Sequence, residues 1–296
     1  MKLPIIDLSS PDPLSTAISI RQACIEYGFF YLVNHGVENN ELVKAFDESK
    51  RFFSLPLQEK MKLSRKEFRG YTPQDPTLGL QGDSKESFYI GPMADSTSVM
   101  LNQWPSEELL GNWRLSMESF YWKLFGAGKK LLSLIALSLN VEEDFFEKIG
   151  AVDKPSAVLR LLRYPGELGA HEEVCSAHSD SGTLTLLMTE GVPGLQICRD
   201  KLKEPLVWED VSHMEGAFIV NIGDLMERWT NCLYRSTMHR VKRIGKDRHS
   251  MAFFLDPHPD CVVKCIESCC SETSPPRFAP IRSGDYMTAR LTNTPV

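Results

Sequence analysis

The chain has 296 residues, of which 42% are hydrophobic and 24% are charged, an ordinary composition for a globular protein with one large core or two small ones. Its formal charge of −6 argues against nucleic acid as the main partner, although a local basic pocket for a small anion is compatible with it. No stretch reaches the roughly 18 apolar residues of a membrane span, and the N-terminus lacks an apolar signal segment. We therefore expect a cytoplasmic protein with reduced cysteines that binds neither nucleic acid nor membrane.

The first 110 residues predict an α/β region that packs on the rest of the chain. LPIIDL and YGFFYLVNHGV are typical of two short buried strands, separated by a helix from about residue 14 to residue 27. A second helix is expected to begin at Asn39 or Asn40 and to end before Pro56. Residues 63–105 are rich in Gly, Pro, Ser and Asp, which predicts a loop-dominated crossing.

The remainder divides into a helical and a β-rich part. Residues 111–154 have helical periodicity and predict one long supporting helix with a bend at residues 126–128, or separate helices with a break there. Residues 155–290 consist of short apolar stretches separated by turn residues, the spacing of a β-sandwich or barrel. We expect the helices to pack around this β unit, so that the chain forms effectively one globular unit.

A candidate metal site lies in AHSDSGTLTLLM, residues 177–188. In an extended strand, residues two apart point the same way and lie about 7 Å apart, so His178 and Asp180 can bind one ion. Among the seven histidines, His239 is the best third ligand. Two histidines and one carboxylate are typical of non-haem Fe(II) oxygenases, which need open positions on the metal. The alternative is that each residue only makes a hydrogen bond at a strand end.

A candidate anion site follows in HRVKRIGKDRHSMAFFL, residues 239–255. This stretch predicts a β-hairpin with its tip at residues 245–246, and a symmetric register places His239, Arg248 and Ser250 on one face. The guanidinium and hydroxyl groups would then lie about one five-carbon diacid away from the metal. The planar fork of arginine suits a carboxylate because it donates two parallel hydrogen bonds.

The ordered motifs resemble the plant and fungal 2-oxoglutarate- and Fe(II)-dependent dioxygenases, a family that includes isopenicillin N synthase-like enzymes. The resemblance covers nearly the whole chain through LPIIDL, GFFYLVNHGV, RGYTP, LLRYPG, HSD, FIVNIGDLMERWTN, STMHRV, RHSMAFF and GDYMTARL. It implies a mainly β fold with flanking helices and a double-stranded β-helix, or jelly-roll, core that holds ferrous iron inside one end.

The resemblance also implies roles for individual residues. It makes His178, Asp180 and His239 the catalytic iron ligands, and it makes Arg248 and Ser250 the residues that hold the distal carboxylate of 2-oxoglutarate.

Two more positions lie in matching motifs. Tyr164 in RYP matches the tyrosine beside the co-substrate, with ordinary core packing as the alternative. Asn221 in VNIGD is a further candidate for lining this end of the core.

Four aromatic residues are candidates for substrate contact, again with packing as the alternative: Phe68, Tyr71, Phe88 and Tyr89. The motif departs from the family at Ser179, where threonine is frequent, and RYPG replaces NYYPP.

The implied activity is oxidation, by hydroxylation, of a small organic metabolite with dioxygen and 2-oxoglutarate, which leaves as succinate and CO2. Ascorbate is a further reductant that the resemblance allows. The alternatives are an Fe(II)/O2 oxidase that does not use 2-oxoglutarate and a non-catalytic jelly-roll ligand sensor.

A zinc site is a further interpretation of four cysteines near the C-terminus, but their spacing lacks the paired C-x2-C motifs of such sites. These cysteines are Cys261, Cys265, Cys269 and Cys270.

Overall fold

Two β-sheets make up most of the fold in a computed structural model, which describes residues 2–66, 69–74, 85–93, 101–166, 173–200 (the backbone alone at 173 and 174), 203–242 and 244–292. Within these residues the strands, in chain order, are β1 (Ile5–Asp7), β2 (Phe29–Val33), β3 (Gly70–Thr72), β4 (Glu86–Ile90), β5 (Val158–Tyr164), β6 (Glu173–His178), β7 (Leu184–Thr189), β8 (Leu195–Cys198), β9 (Glu209–Asp210), β10 (Phe218–Ile222), β11 (Met238–Lys242), β12 (Arg248–Leu255), β13 (Val262–Val263) and β14 (Ile281–Arg282).

The large sheet has the strand order β1-β2-β10-β7-β12-β5-β4-β3, and the small sheet has the order β6-β11-β8-β9. Apolar side chains from both sheets meet in one buried cluster, with Tyr31 and Ile219 from the large sheet and Leu195 and Ile197 from the small one. Side chains alternate between the two faces of each strand, so every second residue points into the space between the two sheets. The two-sheet arrangement confirms the prediction of a mainly β fold with a jelly-roll core.

The N-terminal strands extend the large sheet at both edges. β2 pairs with β10, and β4 pairs with β5, so these early residues share a sheet with the β-rich part. The two predicted buried strands are β1 and β2. Residues 63–105, predicted as a loop-dominated crossing, contribute β3 and β4, because the run ESFYI pairs along its whole length with β5. The predicted boundaries at residues 110 and 154 stay predictions.

Helices flank the sheets, as predicted. In chain order, those of the described residues are α1 (Pro13–Glu26), α2 (Asn39–Phe53), α3 (Leu57–Met61), α4 (Trp113–Ser138), α5 (Phe145–Lys148), α6 (Asp224–Trp229) and α7 (Ser283–Leu291). None of the helices described is both long and apolar enough to cross a membrane.

The long helix α4 is continuous through residues 126–128, so of the two predicted possibilities the break is wrong. The glycine at 128 has a packing role instead: a Cβ there would lie 2.7 Å from Cδ2 of Leu255 in β12, whereas a Cβ at Gly126 would meet nothing within 4 Å. The missing side chain at Gly128 therefore allows the helix to approach the large sheet closely.

The predicted hairpin over residues 239–255 is also wrong. β11 pairs with β6 and β8 in the small sheet, whereas β12 pairs with β5 and β7 in the large sheet. The chain between them crosses from one sheet to the other. Asp247 anchors this crossing, because its carboxylate accepts hydrogen bonds from the Arg163 guanidinium at 2.9 and 3.2 Å and from the Gly166 backbone N–H at 2.8 Å.

Candidate active site

The three predicted metal ligands lie together at the end of the small sheet. His178 is the last residue of β6, and its Cα lies opposite that of His239 in β11. Oδ1 of Asp180 lies 3.7 Å from Nε2 of His178 and 3.6 Å from Nε2 of His239. The three donor atoms lie within 4.8 Å of one another. Since metal–ligand distances are about 2.0–2.2 Å, one ion can contact all three donors.

Backbone carbonyl groups orient both imidazoles. Nδ1 of His178 lies 2.8 Å from the carbonyl oxygen of Ser176, and Nδ1 of His239 lies 3.2 Å from that of Thr237. A carbonyl oxygen only accepts hydrogen bonds, so each Nδ1 carries a hydrogen, and each Nε2 is the ring nitrogen that faces Asp180. Burial lowers the pKa of His239, which favours the neutral form that a metal ligand requires.

Two side chains hold the Asp180 carboxylate by hydrogen bonds to its second oxygen, Oδ2. Oδ2 accepts hydrogen bonds from Thr185 Oγ1 at 2.6 Å and from Asn221 Nδ2 at 2.8 Å. Burial opposes ionisation of Asp180, but the two histidines and these two hydrogen bonds outweigh it, so the pKa of Asp180 lies below its usual value. The ionised Oδ1 therefore faces the two imidazoles, and the donor set fits a divalent cation such as Fe(II).

Arg248 lies in the large sheet, buried and 3% exposed. Its Cα pairs with that of Tyr164 across β12 and β5, and its guanidinium carbon lies 5.0 Å from the Tyr164 ring centroid. Nη1 donates a hydrogen bond to Ser250 Oγ at 3.1 Å, while Nε has no partner among the described residues. Burial lowers the pKa of Arg248, and no carboxylate of the described residues forms a salt bridge with it. Such a buried cation is a binding site for an anionic group.

One cavity between the sheets brings these groups together. It holds about 570 Å3 of empty space, including its open mouth. All six predicted site residues and Asn221 line it: Tyr164, His178, Asp180, Asn221, His239, Arg248 and Ser250. His239 and Arg248 therefore do share a cavity, but they approach it from opposite sheets rather than across a hairpin.

Sequence reasoning missed three further residues of this cavity. Lys85 and Arg160 line it, and so does Thr185, which donates to the metal-ligand carboxylate. A signal for Arg160 was present, because it lies four residues before Tyr164 in one strand and so faces the same side.

The aromatic candidates for substrate contact have other environments. Tyr71 and Phe88 are fully buried in the main hydrophobic core, where both pack on Phe52, so the packing interpretation is confirmed for them. Tyr89 lies beside the guanidinium groups of Arg65 and Arg160. Phe68 lies outside the described residues.

No cysteine groups with other described residues into a candidate metal site. All eight are described, and none is in a disulfide. Within the described ranges, the His178–Asp180–His239 group is the one set of three or more potential ligands close enough to share an ion.

Comparisons with known proteins agree with this geometry. Residues 3–107 match the family described as "non-haem dioxygenase in morphine synthesis N-terminal", and residues 155–257 match the 2OG-Fe(II) oxygenase superfamily. The chain is 38% identical to azadirone synthase LFS of Melia azedarach, over 98% of this chain and 92% of that protein. It is 33% identical to the 2-oxoglutarate-Fe(II) type oxidoreductase hxnY of Emericella nidulans, over 90% of this chain and 81% of that protein.

A solved structure shares the fold. A full-length protein of Neurospora crassa, solved in complex with alpha-KG, superposes with a TM-score of 0.88 at 26% identity, covering 98% of this chain and 96% of that one. The family assignment rests on the two family matches, on the two relatives above 30% identity and on this structural likeness. The chain belongs to the 2-oxoglutarate- and Fe(II)-dependent dioxygenases, and it is an oxidoreductase that uses Fe(II), 2-oxoglutarate and O2 on a small substrate.

Proposed function

We propose that the enzyme hydroxylates a small organic metabolite, with His178, Asp180 and His239 as the iron ligands and Arg248, Ser250 and Tyr164 as the site for 2-oxoglutarate. The observation that carries this assignment is the single cavity with a three-donor metal site from one sheet and a buried guanidinium from the other. Bound Fe(II) supplies the activation of O2 that is coupled to decarboxylation of 2-oxoglutarate to succinate.

The chain's own residues position both groups. The carbonyl oxygens of Ser176 and Thr237 hold the imidazoles in the ligand tautomer, and Thr185 and Asn221 hold the ligand carboxylate from behind. Three protein donors leave further coordination positions for the co-substrate and dioxygen. Supporting hydrogen bonds of this kind fix the direction of each lone pair before metal binds.

Arg248 provides the opposite end of the co-substrate site. Its guanidinium and the Ser250 hydroxyl offer donors to a carboxylate, and the Tyr164 ring packs against the guanidinium and limits where an anion can lie. Apolar side chains, among them Leu162 and Leu187, line the cavity and reduce the water content around the reacting atoms.

Two measurements test the proposed function. Anaerobic addition of Fe(II) and 2-oxoglutarate should produce a weak visible charge-transfer band, and its absence would favour a non-catalytic ligand sensor. In air, succinate release should accompany oxygen uptake. Oxygen uptake without succinate would instead favour an oxidase that does not use 2-oxoglutarate. Mass analysis of a converted metabolite should show the gain of one oxygen atom.

The cellular setting belongs to the proposal as well. A cytoplasmic location without nucleic-acid or membrane partners is supported by the net negative charge and by eight cysteines that are all free of disulfides. Fractionation of cells that express the tagged enzyme would test it, and recovery with a membrane or secreted fraction would contradict it.

A further inference from the structure

An N-terminal segment, residues 27–29, lies against the residues that lead to His239. Tyr27 and Gly28 connect α1 to β2, and Phe29 is the first residue of β2. All three grouped donors of the metal site lie within residues 155–257, the part of the chain that matches the oxygenase superfamily, and this segment lies well before it. Its contacts are therefore a route by which the earlier part of the chain acts on the iron site.

Thr237 connects this segment to His239. The Thr237 hydroxyl group donates a hydrogen bond to the Tyr27 carbonyl oxygen at 2.7 Å, and the Thr237 carbonyl oxygen accepts one from Nδ1 of His239 at 3.2 Å. Thr237 is 4% exposed, so water competes little for either bond. The carbonyl group that orients the imidazole is thus tied to the end of α1.

Gly28 allows the close approach that this bond requires. Its φ of +66° is in the left-handed region, which favours glycine. A Cβ atom at this position would lie 2.6 Å from Oγ1 of Thr237 and would overlap the carbonyl oxygen of Arg235. The Gly28 carbonyl oxygen also accepts a hydrogen bond from the Ile222 backbone N–H at 3.0 Å. The segment therefore contacts both the end of β10 and the residues that lead into β11.

Phe29 packs on the imidazole of His239 itself. The two ring centroids lie 5.6 Å apart with 74° between the ring planes, an edge-to-face pair. The ring of His178 lies 4.3 Å from that of His239, so His239 is flanked by two rings. Phe29 is 1% exposed, and its Cα pairs with that of Asn221, the donor to Asp180. Packing by Phe29 therefore restricts rotation of the His239 ring.

We infer that Thr237 and Phe29 are positioning residues for His239, and that residues 27–29 complete the iron site from the earlier part of the chain. The inference rests on the proposed function, because it takes His239 as an iron ligand. Neither side chain is a metal ligand, and both act through the imidazole. Outer partners of this kind fix the direction of a ligand before metal binds, so their loss weakens metal binding.

Equilibrium titration of the metal-free protein with Fe(II), without oxygen, tests the role of Thr237. Thr237→Val removes the hydroxyl group but keeps the shape of the side chain, and it should raise the dissociation constant for Fe(II) about tenfold. Thr237→Ser keeps the hydroxyl group and should bind Fe(II) within about twofold of the wild type. Thr16→Val is the matched control, because the buried Thr16 hydroxyl also donates to a backbone carbonyl, that of Asp12 at 2.9 Å. It should leave the dissociation constant unchanged.

A second pair of variants tests the role of Phe29. Phe29→Leu keeps an apolar side chain but removes the ring edge, and it should weaken Fe(II) binding about tenfold. Phe30→Leu changes the next residue, which is fully buried in the main hydrophobic core on the other face of β2, and it should leave Fe(II) binding unchanged. Both leucine variants should lose stability in denaturant unfolding of the metal-free protein. Only Phe29→Leu should also lose iron.

The two pairs are independent, so failure of one variant to fold leaves the other pair to decide. Normal Fe(II) affinity in folded Thr237→Val or Phe29→Leu overturns the inference for that residue, and so does an equal loss of affinity in its control. The proposed function stands in that case, because the wild type still forms the charge-transfer band with Fe(II) and 2-oxoglutarate. If the wild type binds no Fe(II) and forms no band, the proposed function itself fails.

Discussion

Removal of the Arg248 guanidinium should weaken 2-oxoglutarate binding while leaving iron binding nearly intact. The side chain is 3% exposed, and its Nε lacks a partner within the described part of the chain, so its donors are available to a ligand carboxylate. A hydrogen bond to a charged group contributes about 1.5–3 kcal/mol. Loss of a two-point contact then costs about 3 kcal/mol, or roughly a 100-fold rise in the dissociation constant at 1.4 kcal/mol per tenfold.

Two variants distinguish this effect from damage to the fold. Arg248→Ala removes the whole side chain, whereas Arg248→Met keeps an apolar stem that fills most of the same space. Both should show the weaker co-substrate binding in anaerobic titrations that follow the charge-transfer band. Ser250→Ala removes a single hydroxyl group and should raise the dissociation constant by about tenfold.

Iron binding supplies the decisive control. Measured with Fe(II) alone, it should change by no more than about twofold in either Arg248 variant, because the guanidinium is not among the three grouped donors. Loss of iron with unchanged affinity for 2-oxoglutarate would refute the assignment of Arg248 to the co-substrate.

Three further perturbations test the surroundings of the site. Thr185→Val should reduce Fe(II) affinity by about 10- to 100-fold in equilibrium titrations, because it removes a donor to the ligand carboxylate; unchanged affinity would contradict that role. Burial raises the pKa of Asp256 to about 7, above 3.8, so its protonated form contributes stability that is complete below about pH 4 and is lost as pH rises through about 7. Asp256→Asn should therefore stabilise the metal-free protein in denaturant unfolding at pH 8, by up to about 4 kcal/mol of unfolding free energy, and much less at pH 4; an equal effect at both pH values would argue against a neutral native carboxyl group. Gly128→Ala should cost about 1–3 kcal/mol in denaturant unfolding, because its Cβ would lie 2.7 Å from Leu255, whereas Gly126→Ala should be neutral or stabilising. Equal effects of the two alanines would refute the packing role.

The sequence predicted the parts of the site that depend on short spacings. His178 and Asp180 are two residues apart, and this proximity alone brings their side chains to one point. The link to His239 and the jelly-roll core came from ordered motifs along the chain rather than from local periodicity. The structure brings these three residues together because β6 pairs with β11, which sets the two histidines opposite each other, and Asp180 follows two residues after the end of β6.

The predicted hairpin failed because strand partners are chosen over long sequence separations. β11 and β12 are neighbours in the chain and have suitable alternation, but β12 is enclosed by β5 and β7, whose apolar faces it completes. Local symmetry about Gly245 could not reveal those partners. Arg160 was missed although strand alternation in VLRLLRY puts it on the side of Tyr164; the other arginine of this strand, Arg163, forms salt bridges with Glu86 and Asp247.

The position of β4 in the chain has a consequence for how such enzymes can diversify. The residues proposed to bind iron and 2-oxoglutarate lie between residues 158 and 255, whereas Ser87 and Lys85 come from a separate, earlier segment of the chain. The cavity wall thus draws on two separate segments of the chain. Substitutions near β4 can therefore reshape the wall without replacing any of the three grouped donors or Arg248.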